Sequence, residues 1–358
     1  MVMEDRDIKS LTREELRKEL LDRGEKAFRA DQIYGWMHQR LAGGFEEMTN
    51  ISKSLREALG SEYDYTNLEI VEVQRSKLDG TCKYLFRLAD GNVIESVLMR
   101  YHHGNSVCIS SQAGCRMGCR FCASTIGGLV RNLKASEMLD QIYQIQKDTG
   151  ERVSNVVVMG TGEPLDNYEN LLRFIRILSD EHGLHISQRN ITVSTCGIVP
   201  RIRELADEDL SITLALSLHA AEQEKREELM PIARKYSLPE VLDACAYYFE
   251  KTGRRLTFEY SLVGRVNDHP EDAERLAALA RPLHSHINLI PVNPVTERKY
   301  VQPDKKVIGN FKKELEKYGI NVTIRREMGR DIDGACGQLR RRYLDEEHAK
   351  PKKGGDEC

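Results

Sequence analysis

Three cysteines stand at 115, 119 and 122 in "GCRMGCRFCAS", a C-x3-C-x2-C interval with no fourth cysteine in the same loop. A structural zinc site is closed by four ligands, so this triplet would need a distant fourth, such as Cys108 or a histidine. A catalytic zinc would accept three ligands and a water. A four-iron cluster normally takes four cysteines; with three, one iron is left free to bind a small molecule. The spacing alone leaves zinc and cluster both open. "GTGEP" at 160–164 also carries chemistry. A carboxylate after a Gly-x-Gly turn can accept hydrogen bonds from an ammonium group, and the glycines permit close backbone approach. Cys336 lies in the polar, glycine-containing "DIDGACGQL". Cys82, Cys196 and Cys245 sit in apolar patterns, as small buried hydrophobes do, and receive no role.

Such residues need elements to hold them. Apolar strand candidates are "SVCISS" (106–111), "NVVVMG" (155–160), "ITVST" (191–195), "ITLALSL" (212–218), "LTFEYSLV" (256–263), "INLIPV" (287–292) and "NVTIRR" (321–326). Helical patterns lie between most of them, which predicts a parallel sheet with helical crossovers, either an open doubly wound sheet or a full or partial barrel. Six or seven units fall short of the eight that close a TIM barrel. A partial barrel leaves a lateral opening suited to a large substrate. The cysteine triplet, "GTGEP", Ser194, "SLH" (217–219) and Asn293 all fall at or after predicted strand ends, where such folds collect active residues.

Residues 1–60 read as a helical domain. "TREELRKELLDRG" begins at Thr12 with Glu15 in the capping-box position and stops at Gly24, and "ADQIYGWMHQRL" ends before Gly43 and Gly44. Residues 61–104 read as a short β-rich connecting segment, "NLEIVEV" and "CKYLFRL" flanking Asp79-Gly80. The parallel unit then spans 105–342, and 343–358 is expected to be a disordered tail. Nine cysteines are an odd count in a chain whose start shows no apolar export segment, which favours metal-binding or catalytic thiols over a disulfide framework. No stretch approaches the ~20 apolar residues of a membrane span. A cytoplasmic protein is expected. The net charge of −3 gives no global attraction to nucleic acid, so RNA contacts must come from local basic patches.

Taken together, "SVCISSQAGCRMGCRFCASTIGGLVRNL", "MGTGEPLDN", "STCGIVP", "LSLHA", "LIPVNPV" and "IRREMGRDIDGACGQL" resemble the RlmN family. These are radical S-adenosylmethionine (SAM) enzymes that methylate carbon 2 of adenosine in 23S rRNA and at position 37 of some tRNAs. The resemblance runs from "KAFRADQIYGWMHQ" to Leu339. It implies a partial (β/α)6 TIM-like barrel of the radical SAM type, with the helical accessory domain before it. It also implies one 4Fe-4S cluster on Cys115, Cys119 and Cys122 with an open iron. Two SAM are used per turnover, contacted by Gly162, Glu163, Ser194, Ser217, Leu218, His219 and Asn293. By the same resemblance Cys336 carries the methyl group, Cys108 is its resolving partner through a disulfide, and Glu95 in "VIESVLMR" is the proton acceptor. By residue type alone, Glu95 would be a solvated strand residue and His219 could cap a core strand. Gly334, where the family more often has alanine, is a departure that puts no role in doubt.

The chemistry accounts for this set. Adenine C2 lies between two ring nitrogens and is electron-poor, so it cannot attack the methyl group of SAM. A thiolate can. On this reading Cys336 takes a methyl from one SAM, and a radical made from a second SAM removes a hydrogen from that S-methyl group. The carbon then adds to C2, giving a covalent enzyme–RNA adduct that Glu95 and Cys108 resolve. The implied partners are rRNA and tRNA, plus an electron donor such as flavodoxin or ferredoxin; a monomer is expected. "TIRREMGRDIDGACGQLRRR" and "RNLK" would place positive charge where phosphates pass, while Lys26, Arg29, Lys53 and Arg56 would help grip folded RNA by shape. Two other readings stay open: methylation at C8 of the same rRNA adenosine, and a zinc-stabilised RNA-binding module without catalysis. Proline in "GEPL" and the stretch "PVNPVTERKY" favour C2.

Overall fold

The computed structural model describes residues 6–283, 285–293, 298–333 and 336–349. Gly334, part of "PVNPVTERKY" and the last nine residues lie outside them. Three helices open the chain, α1 (Arg13–Asp22), α2 (Phe28–His38) and α3 (Lys53–Glu62). The capping box of α1 is present as the sequence predicts, Thr12 and Glu15 each accepting the other's backbone N–H. α2 starts two residues earlier than its apolar pattern and ends at His38.

β1 (Glu69–Arg75), β2 (Cys82–Arg87), β3 (Val93–Tyr101) and β4 (Gly104–Cys108) then form an antiparallel run. A two-stranded hairpin, β5 (Gln112–Gly114) and β6 (Leu129–Asn132), brackets the cysteine loop. Alternation follows: α4 (Ala135–Thr149), β7 (Val153–Val158), α5 (Tyr168–Ser179), β8 (Ile191–Thr195), α6 (Val199–Ala206), β9 (Thr213–Ser217), α7 (Gln223–Leu229), α8 (Leu238–Thr252), β10 (Thr257–Leu262), α9 (Pro270–Ala280), β11 (His286–Pro291), α10 (Lys305–Lys317), β12 (Asn321–Ile324) and α11 (Gln338–Ala349).

The strand order is β1-β2-β3-β4-β7-β8-β9-β10-β11-β12, with every pair from β4 onward parallel. An order that only rises along the chain has no reversal point, so the doubly wound alternative is set aside and the sheet is wound one way, as in a barrel. Residues 61–104 are more than a connection. They form the antiparallel wing of the same ten-stranded sheet. The tail is also corrected: residues 343–349 continue α11, because Leu339, Tyr343 and Leu344 pack on Leu85, Val93 and Val71 of the wing.

One contiguous core runs from Ile8 through the N-terminal helices to Val322, so the helical domain is packed into the same apolar mass as the barrel. Its junction is polar at one point. The Lys9 ammonium, 2 % exposed, meets the Asp140 carboxylate of α4 at 2.7 Å and donates to the Thr66 carbonyl at 2.7 Å. Removing one partner of such a pair strands the other charge in a dry interior. Lys9→Met should therefore cost about 3–5 kcal/mol, read as a lower urea midpoint of the apoprotein. Adding Asp140→Leu should restore most of it, and equal midpoints for wild type and Lys9→Met would show that the pair contributes nothing.

Candidate active site

The C-terminal ends of the parallel strands surround a cavity of about 490 Å³. Twelve of the thirteen residues singled out in the sequence line it; Leu218 does not, since its side chain is fully buried in the main core. Strand alternation explains the exception. Ser217 faces the cavity, so its neighbour must point the other way.

The cysteine loop is held by its own backbone. Cys115 N–H donates to the Gly128 carbonyl at 3.0 Å, and the Thr125 hydroxyl donates to the carbonyls of Cys119 and Cys122 at 3.1 and 3.0 Å. Gly114, at φ +81°, is required, because a Cβ there would strike the Gly128 oxygen. Burial, then the neighbouring thiols and Glu163, pushes the Cys115 thiol up to about 12, and Cys119 rises well above the usual range for the same reasons. Burial also raises Cys122. Three thiols that resist ionisation this strongly need a cationic centre to become thiolates, which is what a cluster's irons provide.

Glu163 ends the "GTGEP" loop with its carboxylate buried. One oxygen accepts the Leu165 N–H at 3.1 Å and the other the Cys196 N–H at 2.8 Å, yet burial holds its pKa above the ordinary value. A ligand ammonium would relieve that penalty. Gly160 and Gly162 let the loop lie against the chain after β4, since a Cβ at either would come within 2.8 Å of neighbouring atoms. Across adjacent strand ends the Ser194 and Ser217 hydroxyls stand 3.3 Å apart. His219 has φ +58° and is buried; its Nδ1 accepts the Ser261 N–H at 2.9 Å, which assigns the ring proton to Nε2. Burial, reinforced by Arg226, lowers its pKa to about 3, so the ring stays neutral as a polar wall of the cavity. Asn293 is exposed at the rim.

The last loop crosses from β12 to the antiparallel wing. Asp331 accepts from the Ser76 hydroxyl at 2.6 Å, Asp333 N–H donates to Gln74 at 2.9 Å, and the Lys83 ammonium donates to the Asp333 carbonyl at 2.5 Å. Glu95 is 2 % exposed, not solvated. Its carboxylate takes the Gly337 N–H, the Arg340 N–H at 3.1 Å and the Lys83 ammonium at 3.2 Å. This places Cys336 over the cavity, its sulfur 3.7 Å from the Ser124 hydroxyl. Protein crowds that sulfur even though the residue opens to the cleft; this desolvation, followed by Glu95, Cys122 and Cys108, holds the thiol well above its ordinary pKa. Cys108, buried at the end of β4, is raised by burial and is lowered in part by Arg325. Both thiols are free.

Several contributors escape a linear reading. Lys83 anchors Glu95 and the last loop from a strand that reads only as alternation. Glu259 is a buried carboxylate on the cavity wall, bound by Asn288 at 2.9 Å. Cys196, assigned no role from its apolar setting, lines the cavity, whereas Cys82 and Cys245 belong to the core. The arginine run divides. Arg340 is buried on the Val93 carbonyl and Arg342 bridges Glu72 and Asp333, while Arg325, Arg326 and Arg330 are exposed at the mouth. In "RNLK", Arg131 is tied to Asp90 and Glu137.

Residues 109–278 match the family model of the radical SAM superfamily, and residues 6–63 match that of the ribosomal RNA large subunit methyltransferase N-terminal domain. A protein of Lachnospira eligens named "Probable dual-specificity RNA methyltransferase RlmN" is 65% identical over 95% of this chain and 97% of its own. A protein of the same name from Lachnoclostridium phytofermentans is 63% identical over 95% of each chain. The crystal structure of a radical SAM methyltransferase from Sphaerobacter thermophilus is similar at a TM-score of 0.88 and 42% identity, covering 93% of this chain and 98% of that one.

Proposed function

The chain belongs to the RlmN family of radical SAM RNA methyltransferases, and from that membership we propose that it methylates C2 of an adenosine in 23S rRNA and adenosine 37 of some tRNAs. The observation that carries the reading is one cavity lined by two sets of cysteines, Cys115, Cys119 and Cys122 on one wall and Cys108 and Cys336 on another, with Glu95 beside the second.

The donor set of the loop fits a 4Fe-4S cluster with an open iron, and Glu163, Ser194, Ser217, His219 and Asn293, which line the same cavity, would hold SAM next to it. The bound cluster and SAM together supply a carbon radical that abstracts hydrogen. The protein's own residues do the rest. Cys336, as thiolate, takes a methyl from one SAM. After loss of a hydrogen atom, the carbon on Cys336 bonds to C2 of an adenine turned out of its stack, and the odd electron this leaves on the ring would pass back to the bound cluster, so that the adduct is closed-shell. Glu95 accepts the C2 proton, for which it must loosen its bonds to the last loop. The Cys108 thiolate attacks the Cys336 sulfur, forming an S–S bond as the S–C bond breaks. The freed carbon picks up a proton and leaves on the base as a methyl group. The disulfide is then reduced by a thiol. Arg325, Arg326 and Arg330 at the mouth, and the N-terminal helices, are assigned to the RNA backbone. A flavodoxin or ferredoxin is the proposed electron source, and the enzyme is read as a cytoplasmic monomer.

The test is regiochemical. Nucleosides from rRNA and tRNA incubated with the reconstituted protein and SAM should contain 2-methyladenosine by mass spectrometry against standards. Exclusive 8-methyladenosine would move the activity to C8, and neither product would remove it.

A further inference from the structure

Arg226, on α7, is fully buried, and among the described residues its guanidinium forms no ion pair. Nη2 donates to the Cys196 carbonyl at 2.7 Å and Nε to the Leu218 carbonyl at 3.3 Å; Nη1 is buried with no hydrogen-bond partner among the described residues. Two carbonyl bonds do not neutralise a charge, and a lone buried cation is an arrangement that folds seldom keep without an anion close by. The ionisable groups within its electrostatic reach are the thiols of Cys196, Cys119 and Cys245 and the neutral ring of His219, none of which is an anion as a free side chain. Protonated thiols offer no compensation. Cys119 as a ligand would.

The packing joins the helix that carries Arg226 to the cysteine loop. The end of α7 rests on the cysteine loop, Arg120 N–H donating to the Leu229 carbonyl at 2.9 Å, and Leu229, Met230 and Cys196 form an apolar cluster against which Cys119 and Phe121 pack. Arg226 itself is shut off from water, so on its side of the loop a charge is screened less than in solvent. A cluster on three thiolates is anionic, and its negative charge grows when it takes an electron.

We propose that Arg226 is the fixed counter-cation of the cluster, a positioning residue that favours the reduced state and so sets how readily the electron that begins turnover is accepted. This rests on the cluster reading above. Full-length protein is reconstituted anaerobically, its iron and sulfide measured, and its midpoint potential followed by paramagnetic resonance during reductive titration. Arg226→Met and Arg226→Gln should hold the cluster and make reduction about tenfold less favourable, about 59 mV for a one-electron couple. Arg226→Lys keeps the charge while losing the forked hydrogen bonds, and should stay within about twofold of wild type. Should the neutral variants fail to fold or load, Arg226→Lys decides. A wild-type potential supports the counter-cation role, and a loss or shift as large as the neutral variants show means that only the hydrogen bonds mattered. Unchanged potentials in loaded neutral variants would overturn the proposal. Wild-type protein without iron and sulfide would overturn the cluster reading instead.

Discussion

Cys108→Ala protein, given SAM, reductant and RNA, should accumulate a covalent protein–RNA conjugate at no more than one per chain, whereas Cys336→Ala should form none and transfer no methyl. The difference follows from where the two thiols sit. Cys336 lies in a loop held over the cavity by Glu95 and Lys83, so it can meet a base entering from outside. Cys108 is buried at the end of β4, lines the same cavity and lies within electrostatic reach of Cys336. On the proposed mechanism it attacks the Cys336 sulfur and not the base. Without it the S–C bond has no nucleophile to break it, so turnover stops after bond formation. The link is a thioether through one carbon, which reducing agents leave intact and nucleases trim to a short tag. A tryptic peptide containing Cys336 should carry that mass. Multiple turnovers by Cys108→Ala, or a tag on Cys196, which also lines the cavity, would defeat the paired-thiol assignment.

Replacing any one of Cys115, Cys119 or Cys122 by alanine should lower iron and sulfide binding at least about 100-fold, since even second-shell losses at metal sites cost 10–100-fold, and should abolish SAM cleavage. The loop that carries them is braced by backbone and Thr125 bonds that the substitutions do not touch, so the fold should persist, with unchanged circular dichroism. Burial already opposes ionisation of each thiol, and two thiolates would leave the cluster under-coordinated as well. Full iron content in all three variants would place the ligands elsewhere. Zinc in place of iron in the wild type would return the chain to the RNA-binding reading.

The seven parallel strands lie close to their apolar runs, and β8 covers Ile191–Thr195 as "ITVST" predicts, because a buried strand needs only its own residues to declare itself. The capping box at Thr12 and Glu15 was legible for the same reason. Glu95 was not. On its strand it reads as a solvated carboxylate, and it is buried by Gly337, Arg340 and Lys83, two of which come more than 240 residues later. The tail from 343 reads as polar disorder until α11 finds the apolar residues of the wing.

By itself the sequence determined what depends on neighbours along the chain: the cysteine interval, the glycine turns, the strand and helix periods, and through their combination the family. Only the tertiary structure decided that the sheet winds one way, that Leu218 turns from the cavity while Ser217 faces it, that the arginine run divides between holding its own loop and facing the mouth, and that Arg226 is a buried cation near thiols. Those outcomes depend on which distant segments share a dry interior. Burial and charge compensation are properties of that shared space and are carried by no single stretch of the chain.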